Sequence, residues 1–375
     1  MEHAIYIKRR ENEYLKEETG NTKSKKRGDG TMGKRKHLGL QSIRYETPPY
    51  IIGYGSIAGK KEGNGPLGTY FDRIEQDPMC GGTTWEEAEA NLQKKAIKIA
   101  MERGEVTEQD IQYLVAGDLL DQITASTFGI MSYQIPLFGV YGACSTMGES
   151  LAIASMLVEG DYADKTIAVT SSHTEAAERQ FRFPLSYGSQ KPLSATWTVT
   201  GSGAFVLGKQ KKGKGPYVKI TGITTGKVMD YGVKDSMNMG ACMAPAACDV
   251  ILNHFEDFST EPKEYDKIIT GDLGLVGKRI LLDMLASKGI SIEEQYMDCG
   301  IEIYDNKVQD VHAGGSGCGC SAITMAGYGM NQFRSGKWKK ILFVPTGALL
   351  SKVSFCEGRT VPSIAHGIVM EREDA

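Results

Sequence analysis

The sequence has no apolar run long enough to cross a bilayer. A membrane-spanning helix needs about 18–20 consecutive apolar residues, and no stretch of the 375 residues comes close to that length. The first residues also lack the apolar core of a secretory signal peptide. We therefore expect no transmembrane segment, no signal peptide and a protein that stays on the cytoplasmic side of the membrane.

Metal and nucleotide motifs are also missing. The chain has eight cysteines, but Cys318-x-Cys320 and Cys242-x5-Cys248 lack the second CxxC or HxxxH pair that a zinc site needs. Scattered cysteines without a secretory signal indicate reduced thiols. There is no P-loop, and the glycines of Gly315–Cys320 do not fit a dinucleotide fingerprint. We expect no cofactor and no metal held by the protein itself.

Charge is distributed unevenly along the chain. The net charge is −3, yet residues 1–40 hold eleven Lys and Arg against six Asp and Glu, which leaves 32 against 40 in the remainder. The basic extension is polar and aperiodic, so we expect it to be disordered. It could contact anionic lipid or nucleic acid; we favour a solvated tail, or a start placed too far upstream of Met32, and expect no nucleic-acid partner.

Beyond Gln41 the pattern is that of an α/β protein. Hydrophobic residues make up 41% of the chain, and short apolar runs alternate with helical patterns, as in a mainly parallel sheet covered by helices. A capping box at Thr84–Glu87 predicts a helix that ends at Gly104. Further along we predict a helix over Ser145–Val158 and strands over Ile111–Ala116, Ile135–Val140, Ile167–Ser171 and Gly203–Gly208.

The second half of the sequence repeats motifs of the first half in the same order. Asp118 and Asp272 end two similar strands, 154 residues apart, and the motif that contains Cys144 returns around Cys320. Strands after Gly160 and Gly336 also correspond, as do two closing strands. Ordered repeats indicate an internal duplication with a period on the order of 160 residues. We predict a basic extension over 1–40 and two similar halves over 41–212 and 213–375.

The motif around Cys144 places a thiol on a sharp turn between a strand and a helix. The helix that follows is small and apolar on nearly all sides, so we predict that it is buried in the middle of the protein. A thiol at the N-terminus of a helix lies near unpaired N–H groups, which lower its pKa and attract anions. This geometry would serve a nucleophile or an anion site equally well.

Four histidines lie in the globular part of the chain. His173 follows a predicted strand at the sheet edge where ligands bind in α/β folds, and we predict that it belongs to the site. His312 could be either a pocket residue or a loop residue. We predict that His254 is solvated, since Asn253, Glu256 and Asp257 surround it in sequence, and that His366 is structural.

The motifs resemble those of the thiolase superfamily, particularly its ketoacyl synthase III branch, and more closely the stage V sporulation protein AD family of spore-forming bacteria. The resemblance covers about residues 41–375 and implies a thiolase-like α/β fold, in which two duplicated βαβαβαββ halves form a layered α/β/α/β/α core. The stretches that carry it are Lys61–Phe71, Ala116–Leu120, Gly142–Ser145, Thr170–His173, Ala177–Arg182, Thr198–Gly203, Ala313–Cys318 and Thr346–Ser351.

The resemblance implies a pocket without the condensing chemistry. The ketosynthase nucleophile falls on Cys144, but its partner His belongs where this chain has Gly271 and Asp272, and its Asn belongs near Ser316–Cys318. Without a proton acceptor and oxyanion donors, acyl transfer would be slower by several orders of magnitude. We therefore expect a non-catalytic protein; the alternative is an acyl-transferring condensing enzyme that uses Cys144.

For the ligand, the family resemblance implies dipicolinate (pyridine-2,6-dicarboxylate), taken up into the developing spore and released in germination. Asp118, Cys144, Ser145 and His173 would bind it. Asp118 would repel a dianion unless it is protonated, paired with His173 or bridged by Ca²⁺, so we favour the calcium chelate.

The resemblance also implies partners and a location. We expect a homodimer, attached to the forespore or spore inner membrane through other SpoVA membrane proteins. Arg179 and Arg182 lie in an aromatic loop and would either neutralise the ligand or belong to a dimer interface.

Overall fold

The structure is a computed structural model that describes residues 36–181 and 191–374. Our predictions for residues 1–35, for the alternative start at Met32 and for Arg182 lie outside the described residues. No helix within the described ranges is long and apolar enough to span a membrane.

The described residues form alternating strands and helices. The strands are β1 His37–Leu38, β2 Ser42–Arg44, β3 Tyr50–Gly59, β4 Arg73–Glu75, β5 Tyr113–Gly117, β6 Leu137–Gly139, β7 Lys165–Ser172, β8 Trp197–Thr198, β9 Gly201–Gly208, β10 Tyr217–Thr225, β11 Lys267–Thr270, β12 Tyr296–Asp298, β13 Gly315–Ser316, β14 Lys340–Val344, β15 Thr346–Ala348 and β16 Ser363–Glu373. The helices are α1 Lys60–Gly63, α2 Trp85–Gly104, α3 Thr124–Ile130, α4 Thr146–Glu159, α5 Thr174–Phe181, α6 Met239–Phe258, α7 Gly274–Ala286, α8 Cys299–Glu302, α9 Cys318–Thr324, α10 Met330–Arg334 and α11 Lys352–Cys356.

The main sheet repeats one arrangement twice. Its strand order is β12-β11-β14-β16-β10-β3-β9-β7-β5-β6, so the order 3-9-7-5-6 of the first half corresponds to 10-16-14-11-12 of the second. In each half the three outer strands are parallel and the two inner strands are antiparallel to their neighbours. The halves meet where β10 and β3 pair over two residues. Our boundary at 212 and 213 falls between β9 and β10 and stays a prediction.

Helices lie between the two half-sheets and on both outer faces. Helix α4 packs on β5 and β7 of the first half and on β16 of the second, and α9 packs on β9 and β7. Outside, α2 covers β3 and β9, and α6 covers β16. Close packing at the centre requires glycine, because a Cβ on Gly203 would lie 2.5 Å from the Ala322 carbonyl. The layered α/β/α/β/α fold class is confirmed.

Local sequence signals placed these elements correctly. Thr84 is the N-cap of α2, and its hydroxyl accepts a hydrogen bond from the Glu87 N–H at 3.2 Å, as the capping box predicted. Helix α4 is buried between the halves, with Met147 and Leu151 fully enclosed. One local prediction was wrong: His254 is fully buried in α6 rather than solvated, because its aromatic neighbours Phe255 and Phe258 cover it.

Candidate functional site

A tight turn after β6 positions Cys144 at the start of α4. Ala143 adopts a left-handed conformation with φ of 50°, and the N–H and hydroxyl of Ser145 both donate to the Gly142 carbonyl, at 3.1 and 2.7 Å. β15 comes close to this turn, since a Cβ on Gly347 would lie 2.1 Å from the Gly142 oxygen. Non-glycine residues with positive φ carry strain that often accompanies functional sites.

The Cys144 thiol is the first member of a buried polar chain. Its Sγ lies 3.8 Å from the Ser316 Oγ, and the Ser316 hydroxyl donates to the Asp272 carboxylate at 2.7 Å. Because Ser316 has one hydroxyl proton and gives it to Asp272, the thiol must be the donor to Ser316. Asp272 also accepts from the Gly317 N–H at 2.9 Å and from the Thr346 hydroxyl at 3.1 Å.

The surroundings of Cys144 keep its thiol protonated. Burial raises the pKa of Cys144 well above its usual range, and the neighbouring Asp272 raises it further. Burial also raises the pKa of Asp272. Our expectation of a lowered Cys144 pKa was therefore wrong, because enclosure in a site without cations outweighs the helix N-terminus.

Cys144 forms part of the wall of an enclosed, mostly apolar cavity of about 40 Å³, which we call the Cys144 cavity. Its lining is contributed by both halves of the chain. The residues that line it are Leu119, Tyr141, Ala143, Cys144, Ala177, Glu178, Phe181, Thr196, Thr198, Met239, Ser316, Ala348 and Leu350. Among the lining residues that the structure describes, none is Lys, Arg or His.

Of the four predicted ligand residues, only Cys144 lines this cavity. Asp118 is buried and accepts hydrogen bonds from the Leu120 N–H at 2.8 Å and from the Ser126 N–H and hydroxyl at 2.7 and 2.6 Å. It therefore holds the turn that carries Leu119 into the cavity wall. The carboxylate also lies beside buried Glu89, and burial and then Asp118 raise the pKa of Glu89.

Ser145 and His173 also have protein partners. The Ser145 hydroxyl closes the turn below Cys144, as described above. The His173 ring is fully buried, with Nε2 2.8 Å from the Pro78 carbonyl and Nδ1 3.2 Å from the Glu175 carboxylate. It packs against Trp85 at 5.6 Å. Burial lowers its pKa.

Other predicted or considered residues lie elsewhere. Arg179 contacts the carboxylate of Glu86. His312 lies in a loop with Nδ1 2.9 Å from the Pro192 carbonyl, and buried His366 accepts from the Gly226 N–H at 3.4 Å.

Sequence reasoning missed most of the apolar lining. Leu119 is adjacent to Asp118 in sequence and Leu350 belongs to the motif Thr346–Ser351, which were usable signals, but Met239 begins helix α6 and carries no motif. The sequence analysis treats Asp272 and Ser316 only as positions where catalytic residues are missing. It does not predict the hydrogen bond between them.

Comparisons with known proteins find relatives that match most of this chain. A family model described as stage V sporulation protein AD matches residues 39–371. The stage V sporulation protein AD of Bacillus subtilis (strain 168) is 44% identical over 337 residues, which is 90% of this chain and 98% of that relative.

Solved structures with similar folds are condensing enzymes. The 3-oxoacyl-(acyl-carrier-protein) synthase III of Aquifex aeolicus VF5 has a TM-score of 0.52 and 15% identity, and covers 86% of this chain and 99% of its own. OleA of Xanthomonas campestris has a TM-score of 0.54 and 14% identity, with 88% and 99% covered. At this level of identity the likeness shows the fold alone.

Proposed function

Because this chain belongs to the stage V sporulation protein AD family and has a thiolase-like fold, we propose that it binds dipicolinate in the Cys144 cavity without catalysing a reaction. The observation that carries the proposal is that an enclosed cavity is kept while the thiol in its wall is held neutral. A neutral thiol is a poor nucleophile, whereas an apolar cavity with a few polar groups is typical of a ligand site. Uptake into the developing spore and release in germination are the roles we propose.

The lining favours the calcium chelate over the free dianion. Burying a dianion without cationic partners is costly, and the lining residues that the structure describes offer no Lys, Arg or His. A bound Ca²⁺ would neutralise the two carboxylates. In the described part of the chain no group of three or more His, Cys, Asp or Glu side chains could hold a metal, so the cation would arrive with its ligand.

We propose that Asp118, Cys144, Ser145 and His173 serve binding in two ways. Cys144 would contact the ligand directly through its neutral sulfur, since its one proton is donated to Ser316. The other three would act by positioning: Asp118 holds the turn that carries Leu119, Ser145 holds the turn that carries Cys144, and His173 precedes helix α5, which carries Ala177 into the lining. Exact placement of such walls decides affinity in small pockets.

Filling the cavity should abolish binding. Ala177 is buried in α5 and lines the cavity, so Ala177→Phe places a ring where the ligand would lie, and we expect calorimetric affinity for dipicolinate with Ca²⁺ to fall at least about a hundredfold. Ala286→Phe, at an exposed position, is the matched control and should bind as wild type does. Saturable binding by a folded Ala177→Phe protein would show that the ligand does not bind in this cavity.

Acyl transfer makes the opposite prediction at Cys144. A condensing enzyme would form a thioester there, whereas a thiol with a raised pKa should give no adduct after incubation with acyl-CoA at neutral pH. Mass spectrometry of peptides tests this, and iodoacetamide provides an internal control because exposed Cys356 should be alkylated while buried Cys144 is not. An acyl adduct on Cys144 would show instead that the protein is an acyl-transferring enzyme.

We also propose a homodimer that pairs through strand β6. β6 ends the sheet and its three residues are exposed, so its backbone groups offer a template for a second strand. Apolar side chains beside it are exposed as well: Phe128 is 63%, Met131 60% and Phe138 45% exposed. We propose that β6 of a second copy pairs with this edge, because a symmetric dimer needs a self-complementary surface.

Charging this edge should produce monomers. Phe138→Glu would bury a carboxylate in the interface, and we expect sedimentation to show a monomer at concentrations where the wild type is a dimer. Tyr162→Glu changes a side chain that is 74% exposed elsewhere and should leave the dimer intact. A dimeric Phe138→Glu protein would place the interface on another surface.

The remaining proposals concern location and partners. We propose that the protein is peripheral to the spore inner membrane and works with other SpoVA membrane proteins, as the family resemblance implies.

A further inference from the structure

A second cavity, of about 590 Å³, lies apart from the Cys144 cavity and shares none of its lining residues. We call it the Lys61 cavity. Its lining comes from residues 59–64, 75–80, 174–175 and 308–309 and includes Trp197 and Thr200. The first of these segments belongs to the stretch Lys61–Phe71 that carries part of the family resemblance, and the function proposed above does not use it.

Two lysines and a tryptophan form one wall of the Lys61 cavity. Lys61 Nζ lies 3.5 Å from the centroid of the Trp197 ring and 6.0 Å from that of Tyr304, which is cation–π geometry. Among the described residues, no carboxylate oxygen lies within 4 Å of the Nζ atoms of Lys60 or Lys61. Burial lowers the pKa of Lys61. In the described part of the chain Lys60 and Lys61 thus form no ion pair within 4 Å, and the charges of Glu62 and Asp310 act on Lys61 at longer range.

Two of the four carboxylates that line this cavity, those of Glu62 and Glu75, already have partners. Glu62 is buried and accepts hydrogen bonds from the Tyr304 hydroxyl and a backbone N–H, and burial raises its pKa. Glu75 accepts from Lys95 Nζ at 2.9 Å and Arg73 Nε at 2.7 Å. The positive charges of Lys60 and Lys61 are therefore not neutralised by these two groups.

The opposite wall rests on buried His173. Its Nε2 lies 2.8 Å from the carbonyl of Pro78, and its Nδ1 3.2 Å from the carboxylate of Glu175; both partners line the cavity. The Nδ1 atom is buried and makes no hydrogen bond. Asp77 accepts from the Met79 N–H at 3.0 Å. This wall is therefore backed by a buried imidazole beside a carboxylate that is partly exposed.

The segment that carries the lysines is packed too tightly to move freely. A Cβ on Gly65 would lie 2.1 Å from the Ile303 carbonyl oxygen, and one on Gly68 would lie 2.0 Å from that of Gly63. Only glycine allows such close backbone approach. The backbone of α1, which carries Lys60 and Lys61, is therefore held in place, which reduces the ordering cost of binding a ligand.

We propose that the Lys61 cavity is a second ligand site, which takes the free anion of a planar aromatic carboxylate through Lys60 and Lys61 beside Trp197. A carboxylate would form charge-assisted hydrogen bonds with the two ammonium groups, and the ring would lie against the apolar wall that Trp197 and Val308 provide. The metal-free anion would bind in the Lys61 cavity, and the neutral calcium chelate would bind in the Cys144 cavity. The choice of dipicolinate as the anion rests on the proposed function.

Tryptophan fluorescence tests this site directly, because Lys61 lies on the face of Trp197. The full-length protein is titrated with dipicolinate in the presence of a calcium chelator, with benzoate as a second probe, and with excitation selective for tryptophan. We expect a saturable change in emission. Lys61→Met should weaken the apparent affinity at least about tenfold, Lys61→Arg should restore most of it, and Trp197→Phe should remove the signal while calorimetry still detects binding.

The controls separate this site from the Cys144 cavity. Lys98→Met, at a side chain that is 71% exposed, should titrate as wild type does. Ala177→Phe should lose binding of the calcium chelate and keep the metal-free response. A metal-free response that survives Lys61→Met, or that disappears in Ala177→Phe, would overturn the second site. Binding of the metal-free anion alone, with no chelate bound by the wild type, would instead overturn the proposed function of the Cys144 cavity.

Discussion

Replacing Asp272 by alanine should lower the free energy of unfolding by about 3–5 kcal/mol. Asp272 is fully buried and accepts hydrogen bonds from the Ser316 hydroxyl, the Gly317 N–H and the Thr346 hydroxyl. Alanine would leave three buried donors without an acceptor, and each unsatisfied donor costs about 1–3 kcal/mol. The side chain also joins the ends of β11, β13 and β15, so its loss loosens three segments at once.

Urea unfolding at one protein concentration measures this effect. Asp272→Asn keeps one carbonyl acceptor and should give an intermediate loss. Asp283→Ala, the same change at an exposed position of α7, should stay within about 0.5 kcal/mol of wild type. If Asp272→Ala unfolds within about 1 kcal/mol of the wild type, the three hydrogen bonds do not hold these segments together.

The second large effect is acid sensitivity caused by His254. Its Nδ1 lies 2.8 Å from the Thr224 hydroxyl and its Nε2 2.7 Å from the Tyr265 hydroxyl. Burial, and then the charge of Lys340, lowers the pKa of His254 from 6.5 to about 3, against the opposing effect of Asp257. In the unfolded chain His254 is protonated as the pH falls through 6.5, whereas in the folded protein it stays neutral until about pH 3.

The stability that depends on neutral His254 is therefore complete above pH 6.5 and is lost progressively as the pH falls toward 3. By pH 4.5 the loss is on the order of 2–3 kcal/mol. Buried carboxyls oppose this trend: burial raises the pKa of Asp298 to about 6, so its contribution falls as the pH rises from 3.8 to about 6. The wild-type curve alone thus mixes both effects.

Comparison with His254→Gln isolates the histidine. The variant loses packing against Phe258, whose ring centroid lies 4.5 Å away, so it should be less stable at pH 7.5. The gap in free energy of unfolding between the two proteins should narrow by about 2–3 kcal/mol at pH 4.5. His312→Gln, at a partly exposed ring in a loop, is the matched control. Parallel curves for His254→Gln and wild type would contradict the assignment.

The sequence contained enough local information for the fold. The capping box at Thr84 fixed the start of α2, the small apolar run after Ser145 indicated a buried helix, and the ordered repeats indicated two similar halves. The first two signals are properties of neighbouring residues, because hydrogen bonds at a cap and the periodicity of a buried face involve residues a few positions apart. The turn that carries Cys144 was predicted for the same reason.

The chemistry at Cys144 depended on the tertiary structure. The thiol is neutral because it is buried and because Asp272, which lies 128 positions further along the chain, is beside it. His254, surrounded by polar residues in sequence, is buried because Tyr265 and Phe258 enclose it. Asp118 and His173 end neighbouring strands, yet their side chains point to different partners.

The sequence by itself determined that this chain forms two similar α/β halves and places a cysteine on a sharp turn at the start of a central helix. Only the tertiary structure decided that this cysteine is a protonated donor in the wall of an apolar cavity, and that the lysines lie in a second cavity. The physical reason is that a side chain's pKa and its accessibility depend on burial and on charges from distant segments, and no local pattern in the sequence records which segments will meet.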